Sequence, residues 1–315
     1  MSEPVSVVMP VKNGARYIHE SIASIMACTT PFDEVIIIDD GSDDETHRLL
    51  QGYLTQFSNL RVEMSPGVGI VEALNYGIEI SKNEWIARFD VDDHYGANRL
   101  FEQRKLIAPG VAVIFSDYCF KDSKGNKLGI VPSAISPEAT ALSLVNSFRT
   151  AHPSALLYRP IFTKSGKYQK TDFPAEDLGL WLRMLRHGTL ISAPKVLLFY
   201  SLSSGSVSSE YRSVMIHRRL ELLSKYGIPG KDIEYVWRNW KKITSSYKNF
   251  PFSSKRKILL CRDLISATSL FGGRIEQIAA LFIAFRLFLN PINFMSLILL
   301  IFEKKKRDST RVSQK

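Results

Sequence analysis

The chain has 315 residues, 45% of them apolar, and a formal net charge of +10. That length admits two domains, or one large α/β domain with an extension, and the apolar share is enough for a sizeable core. Its three cysteines, Cys28, Cys119 and Cys261, form no pairing pattern and no CxxC, which argues against a disulfide scaffold or a zinc site and suits a reducing cytosol.

No basic segment leading into an apolar one precedes the first strand, so no secretory leader is expected. That strand is Val5-Ser6-Val7-Val8-Met9-Pro10-Val11, and Tyr17, Ile18, Ile22, Ile25 and Met26 then recur at helical spacing over residues 15–27. Residues 35–38 read as a second strand, 46–57 as a helix opened by an acid-rich turn, 60–64 as a short strand and 71–81 as a helix striped by Ala73, Leu74 and Ile78. Residues 85–89 make the next strand. Such alternation is the pattern of a doubly wound parallel sheet. It weakens after Asp93. Strands are expected at 111–115, 155–158 and 195–200, a polar hairpin tip at 121–127, and an amphipathic helix at 177–187 carrying Leu178, Trp181, Leu182 and Leu185 on one face. The serine-rich stretch 201–209 reads as a loop, and helices dominate from Tyr211 onward.

Charge is unevenly spread. Residues 1–207 carry 20 Lys and Arg against 23 Asp and Glu, whereas residues 208–315 carry 21 against 8. The basic excess thus belongs to the last third, where an anionic membrane surface or nucleic acid is the obvious partner.

Two apolar runs end in acids. Glu34-Val35-Ile36-Ile37-Ile38 stops at Asp39-Asp40-Gly41-Ser42-Asp43-Asp44, and Trp85-Ile86-Ala87-Arg88-Phe89 stops at Asp90-Val91-Asp92-Asp93. Ligands of open α/β sheets bind outside the carboxyl ends of the strands. Carboxylates gathered there repel one another unless a cation sits between them, and hard oxygen ligands suit Mg²⁺ or Mn²⁺. Alternate residues of an extended segment point the same way, so Asp90 and Asp92 are expected to face together and Asp93 to face away. Each acidic motif could instead simply cap the helix that follows it. Glu176-Asp177 has two readings as well: acids favoured at a helix start, or a general base aimed into a cleft. His152, before Pro153, is structural or a ligand. Together the motifs point to a metal-dependent site for a phosphorylated, nucleotide-linked substrate.

These residues also carry a family resemblance. Val5 to Gly14, Asp39 to Thr46, Ala73-Leu74-Asn75-Tyr76-Gly77-Ile78, Ile86 to Asp93, His152-Pro153-Ser154 and Ala175 to Arg183 stand in the order of the signature blocks of the family 2 inverting glycosyltransferases, which they resemble over residues 4–210. The resemblance implies an α/β fold of the GT-A (Rossmann-like) type: a mostly parallel central sheet with helices on both faces, here with a helical C-terminal extension. It implies a nucleoside-diphosphate sugar donor, a UDP-sugar first among them, and Mn²⁺ or Mg²⁺. Residues 1–98 would form the nucleotide-sugar half, 99–207 the acceptor half, and 208–315 a basic, apolar helical region. Pro10, Val11, Asn13, Asp39, Asp40, Gly69, Asn75, Arg88, Asp90 and Asp92 would surround the donor, with Asp92 and Asp90 at the metal. Asp177 would be the base, with Glu176 the second candidate, and His152, Trp181 and Arg183 would lie toward the acceptor or behind it. Two stretches depart from the family. Ser201, Leu202 and Ser203 stand where Arg and His often follow the last core strand, and the loop Ser65-Pro66-Gly67-Val68-Gly69 lacks the usual Asn or Arg. Phosphate contacts are therefore expected to be fewer, or to come from the basic C-terminal part.

Within that part, residues 275–289 and 294–302 are apolar, interrupted by Arg286, Asn290, Pro291 and Asn293, and followed by Lys304-Lys305-Lys306-Arg307. The interruptions disfavour a simple span. Apolar helices flanked by cations suit an anionic leaflet, or packing on the catalytic domain or a second subunit as a homo-oligomer. Long aliphatic runs do not help to bind phosphates, so nucleic acid is not expected. The resulting expectation is a cytoplasmic enzyme, peripheral at the inner face of the membrane, that extends a glycan or polyprenyl-linked acceptor in O-antigen or capsule assembly. Three rivals use part of the same signal: a nucleotidyltransferase, a hydride-transferring Rossmann enzyme (though no G-x-G-x-x-G follows Val11), and a non-catalytic membrane-associated assembly subunit.

Overall fold

The computed structural model describes residues 3–122, 124–144, 150–202 and 210–226, all within the compact unit Met1–Pro229. Alternation begins as the sequence implies. Strand β1 (Val5–Val11) leads to helix α1 (Ala15–Met26), β2 (Glu34–Asp39) to α2 (Thr46–Leu54), and β3 (Leu60–Met64) to α3 (Ile70–Glu79), before β4 (Trp85–Arg88). These four strands pair in parallel, in the order β3-β2-β1-β4.

Why β1 and β2 read as unbroken apolar runs is clear from their two faces. Val35 and Ile37 pack with Ile18, Ile22 and Ile25 of α1 and Leu50 of α2. The alternate residues Ile36 and Ile38 pack with Ala73 of α3 on the other side. A strand covered by helices on both faces has no solvent side to carry polar residues. The third helix also approaches closely, because a Cβ on Gly77 would stand 2.6 Å from Val8 Cγ1.

The second half is a mixed extension of the same sheet. It holds β5 (His94–Tyr95), α4 (Arg99–Arg104), β6 (Val111–Lys121), β7 (Lys127–Val131), α5 (Pro137–Ser143), β8 (Leu156–Tyr158), α6 (Arg159–Lys164), α7 (Glu176–Met184), β9 (Thr189–Ser201) and α8 (Arg212–Tyr226). The order continues from β4 through β8, β6 and β9 to β5, with β7 hairpinned onto β6. β8 is antiparallel to both neighbours, whereas β6 and β9 run parallel over their whole length. Most of the pairing is therefore parallel, and the fold is α/β with helices on both faces of a central sheet.

Several elements differ from expectation. β6 extends to Lys121 and β9 begins at Thr189, because the two long strands satisfy each other's backbone groups beyond their apolar segments. The short helices α5 and α6, each with proline in its first turn, carry too few turns for a periodicity to show. Helix α8 lies against α7: Phe173 meets Tyr211 edge to face, and Arg186 donates to the Tyr226 carbonyl at 2.8 Å. No helix among the described residues is long and apolar enough to cross a membrane. The apolar stretches within 275–302 and nearly all of the serine-rich loop lie outside the described residues.

Candidate active site

The carboxyl ends of β1, β2 and β4 open into a cavity of about 760 Å³. Pro10, Val11 and Lys12 line it from β1, Asp40 from β2 and Asp90 from β4. Val68 to Ala73 close one side, and Lys170, Phe173 and Tyr211 another. Of the sequence-derived donor residues, Pro10, Val11, Asp40, Gly69 and Asp90 are in this lining. Asn13, Asp39, Asn75, Arg88 and Asp92 are not.

Some of those residues build the rim. Asp39 has no exposed surface; its Oδ1 accepts from the Ser42 amide at 3.1 Å, and Oδ2 lies 3.4 Å from His47 Nδ1. Asp40 accepts from the Ser65 hydroxyl and from the amides of Val68 and Gly69, at 2.7–3.0 Å, so its carboxylate shapes the loop ahead of α3. Gly69 has φ +98°, a left-handed conformation that suits glycine. Asn13 accepts from the Asp43 amide at 2.9 Å while its own amide donates to the Ser42 hydroxyl, which latches the β1 turn to the β2 turn. Asn75 exchanges two hydrogen bonds, both 3.0 Å, with the backbone of Tyr168.

At the end of β4 the structure corrects one expectation. Residues 90–93 are a turn, closed by the Asp93 amide on the Asp90 carbonyl at 3.4 Å, and not an extended segment. Asp93 therefore does not face away. Oxygens of Asp90, Asp92 and Asp93 all lie within 4.8 Å of one another. One Asp93 oxygen accepts from the Ser201 amide at 2.8 Å; the other is buried without a hydrogen-bond partner among the described residues. Burial, then the charges of Asp90 and Asp92, push the Asp93 pKa well above the usual carboxylate range.

Arg88 is buried beneath this turn and ion-pairs with Asp90. Burial disfavours its charge, but the Asp90 carboxylate outweighs that and raises its pKa. The same guanidinium favours the charged forms of Asp93, Glu176 and Asp177. Arg88 thus acts on four carboxylates, with Arg219 beside Asp177. The excess of negative charge, the all-oxygen donor set and the unpartnered Asp93 oxygen together fit Mg²⁺ or Mn²⁺.

Glu176 and Asp177 form the first turn of α7. Glu176 is 6% exposed, and its Oε2 has no hydrogen-bond partner among the described residues. Burial, then the neighbouring Asp177 charge, raises its pKa to about 7. Asp177 is raised by burial and held back by the Leu178 amide at 2.6 Å and by the charges of Arg219 and Arg88. His152 meets the Tyr168 hydroxyl at 2.7 Å through Nε2, and burial followed by the Arg88 charge pushes its pKa well down, so it is neutral.

The other two candidates of α7 point into the core. Trp181 packs edge-on against Phe115 and His152. Arg183 ion-pairs with the wholly buried Asp172 and donates to the carbonyls of Ser165 and Lys167. Sequence reasoning missed Asp93 as a partner of Asp90 and Asp92, and it missed Tyr168, Arg219, Lys12, Lys170 and Phe173. The acid run was a visible signal for Asp93. Lys12 stands within the Val5 to Gly14 block, and the others belong to no local motif.

Known proteins share this arrangement of elements. Residues 6–165, just over half of the chain, match the family model described as glycosyl transferase family 2. An uncharacterised glycosyltransferase of Rickettsia typhi is 30% identical over 202 residues, and the chain spans 62% of that relative's length. TuaG of Bacillus subtilis, a putative teichuronic acid biosynthesis glycosyltransferase, is 26% identical over 70% of this chain and 89% of its own. Among solved structures, the mannosyltransferase PcManGT of Pyrobaculum calidifontis, in complex with GDP-Man and Mn²⁺, superposes with a TM-score of 0.59 at 17% identity, covering 94% of this chain and 83% of that one. At that identity the likeness is one of fold.

Proposed function

The chain belongs to glycosyl transferase family 2, and on that premise we propose that it transfers a sugar, with inversion, from a nucleoside-diphosphate sugar to a hydroxyl of a glycan or lipid-linked glycan acceptor. The observation that carries this reading is the Asp90-Asp92-Asp93 cluster, whose Asp90 lines a cavity of about 760 Å³, with the Glu176-Asp177 pair sharing its buried arginine. Asp90, Asp92 and Asp93 would hold a divalent cation, which supplies positive charge beside a leaving diphosphate. Pro10, Val11, Asp40 and Gly69 line the space for the nucleotide and sugar. The carboxylate of Asp177 takes the acceptor's proton as that oxygen attacks the anomeric carbon. The bond from that carbon to the diphosphate oxygen breaks on the opposite face, and the nucleoside diphosphate departs with the electron pair. Positioned proton transfer of this kind contributes about 10²–10⁴-fold.

A relative's name and the charge of the C-terminal third support the acceptor class. TuaG is named for teichuronic acid biosynthesis, which supports a glycan acceptor, and the basic, apolar C-terminal third would bring this chain to an anionic membrane where lipid-linked acceptors reside. A thermal-shift series with UDP, GDP, thymidine diphosphate and their sugars, with and without Mn²⁺, tests the donor. Ligand at one hundred times its Kd stabilises by about 2.7 kcal/mol. The expected result is a rise in Tm for one base, dependent on Mn²⁺ and lost in Asp92→Ala. A chain that no nucleoside diphosphate stabilises would overturn the proposal.

A further inference from the structure

Tyr95 and Arg99 lie outside every motif considered above, yet both are buried directly beneath the acidic turn. The Tyr95 hydroxyl accepts from the Asp90 amide at 2.6 Å and donates to the Asp90 carbonyl at 3.3 Å. It therefore grips both polar backbone groups of the residue at which β4 becomes the turn. A tyrosine hydroxyl can do both at once, because it is donor and acceptor together.

The ring that carries this hydroxyl is itself held. It lies 3.8 Å from the Phe89 ring, centroid to centroid, and the Arg99 guanidinium stands 4.2 Å from the Phe89 ring and 4.8 Å from that of Tyr95. Among the described residues Arg99 forms no ion pair, although the Asp93 charge acts on it. It donates instead to the carbonyls of Arg88 and Ala155, at 3.0 and 3.1 Å, and to Gln103 Oε1 at 3.0 Å. Burial outweighs the neighbouring charges and lowers its pKa to about 10. Gln103 in turn donates to the carbonyls of Ile114 and Ser154, both at 2.8 Å. Backbone pairing of Tyr95 with Leu198 ties the group to β9. A buried cation outside any ion pair among the described residues is costly, and here it joins the end of β4, the turn after His152 and, through Gln103, the middle of β6.

We propose that Tyr95, seated by Arg99, is a positioning residue for the Asp90–Asp93 turn: it sets the spacing of the three carboxylates before any ligand arrives. The inference deepens the cation-assisted reading above and rests on it for its functional meaning. Partners that orient ligands without touching the ion typically change affinity by about 10–100-fold when removed.

Tyr95→Phe keeps the ring and removes only the hydroxyl. Tyr158→Phe is the comparison, since its hydroxyl meets exposed Glu84 at 3.2 Å, at the other end of β4. Two readouts on the full chain separate the claims. Amide hydrogen exchange followed by mass spectrometry reports the turn without any ligand: Tyr95→Phe should speed exchange in the peptide holding Asp90 by about tenfold, the loss of one amide hydrogen bond, and Tyr158→Phe should not. Titration with Mn²⁺ alone should show binding weakened about tenfold. Wild-type exchange in Tyr95→Phe overturns the proposal, as does unchanged Mn²⁺ affinity. If the wild-type chain binds no Mn²⁺, the cation reading fails, while exchange still decides whether Tyr95 fixes the turn.

Discussion

Glu176→Gln should make the protein more stable at pH 8 and leave it no more stable at pH 5. Glu176 sits at the amino end of α7, where the helix dipole favours a negative charge. Burial and the adjacent Asp177 charge nevertheless win, and its pKa rises from an ordinary 4.5 to about 7. The folded state then holds a proton that the unfolded chain has released at any pH between those values, so stability falls as pH rises through that interval. At 1.36 kcal/mol for each tenfold in proton affinity, the full cost above pH 7 is about 3 kcal/mol. Glutamine cannot ionise and avoids it, but its buried amide lacks a ready acceptor, which returns about 1–2 kcal/mol. The net gain at pH 8 is about 1–2 kcal/mol, or roughly 2–8 °C in Tm for a unit of this size. Differential scanning calorimetry of both proteins from pH 5 to pH 8 measures it. A difference in Tm that is constant with pH, or that grows toward acid, would refute the reasoning. The same cost explains why such a residue is informative: a buried acid with an unpartnered oxygen weakens the fold, and active sites are where such groups are kept.

Asp177→Asn should lower sugar transfer by about 10²–10⁴-fold while leaving the nucleotide-dependent rise in Tm intact, because the proposed base is removed and the cavity lining is not; full turnover by the variant would reassign the base. Arg183→Met should cost about 3–5 kcal/mol in chemical denaturation, since Asp172 has no exposed surface and would be left without its cation. Normal stability with altered acceptor preference would instead restore Arg183 to the acceptor site.

Legibility followed the range of the interactions. The four parallel strands and three helices of the first ninety residues were readable because each is decided by its own periodicity. The two carboxyl-end acid clusters were readable because a strand end and a polar turn adjoin in sequence. The reading of Asp93 missed for a specific reason. It assumed that the strand continued, whereas the bond from the Asp93 amide to the Asp90 carbonyl turns the chain back. Nothing local marked Arg183 as a core ion pair or Tyr168 as the partner of His152, since Asp172 and Tyr168 reach them only through a folded loop.

By itself, then, the sequence determined the class of fold, the end of the sheet where the cavity opens and the acids that stand there, all of them consequences of residues that are neighbours along the chain. Only the tertiary structure decided how those acids are charged and held. Burial, the shared Arg88 and the grip of Tyr95 on Asp90 arise between residues that become neighbours in space, and a carboxyl's proton affinity answers to that surrounding and not to its place in a motif.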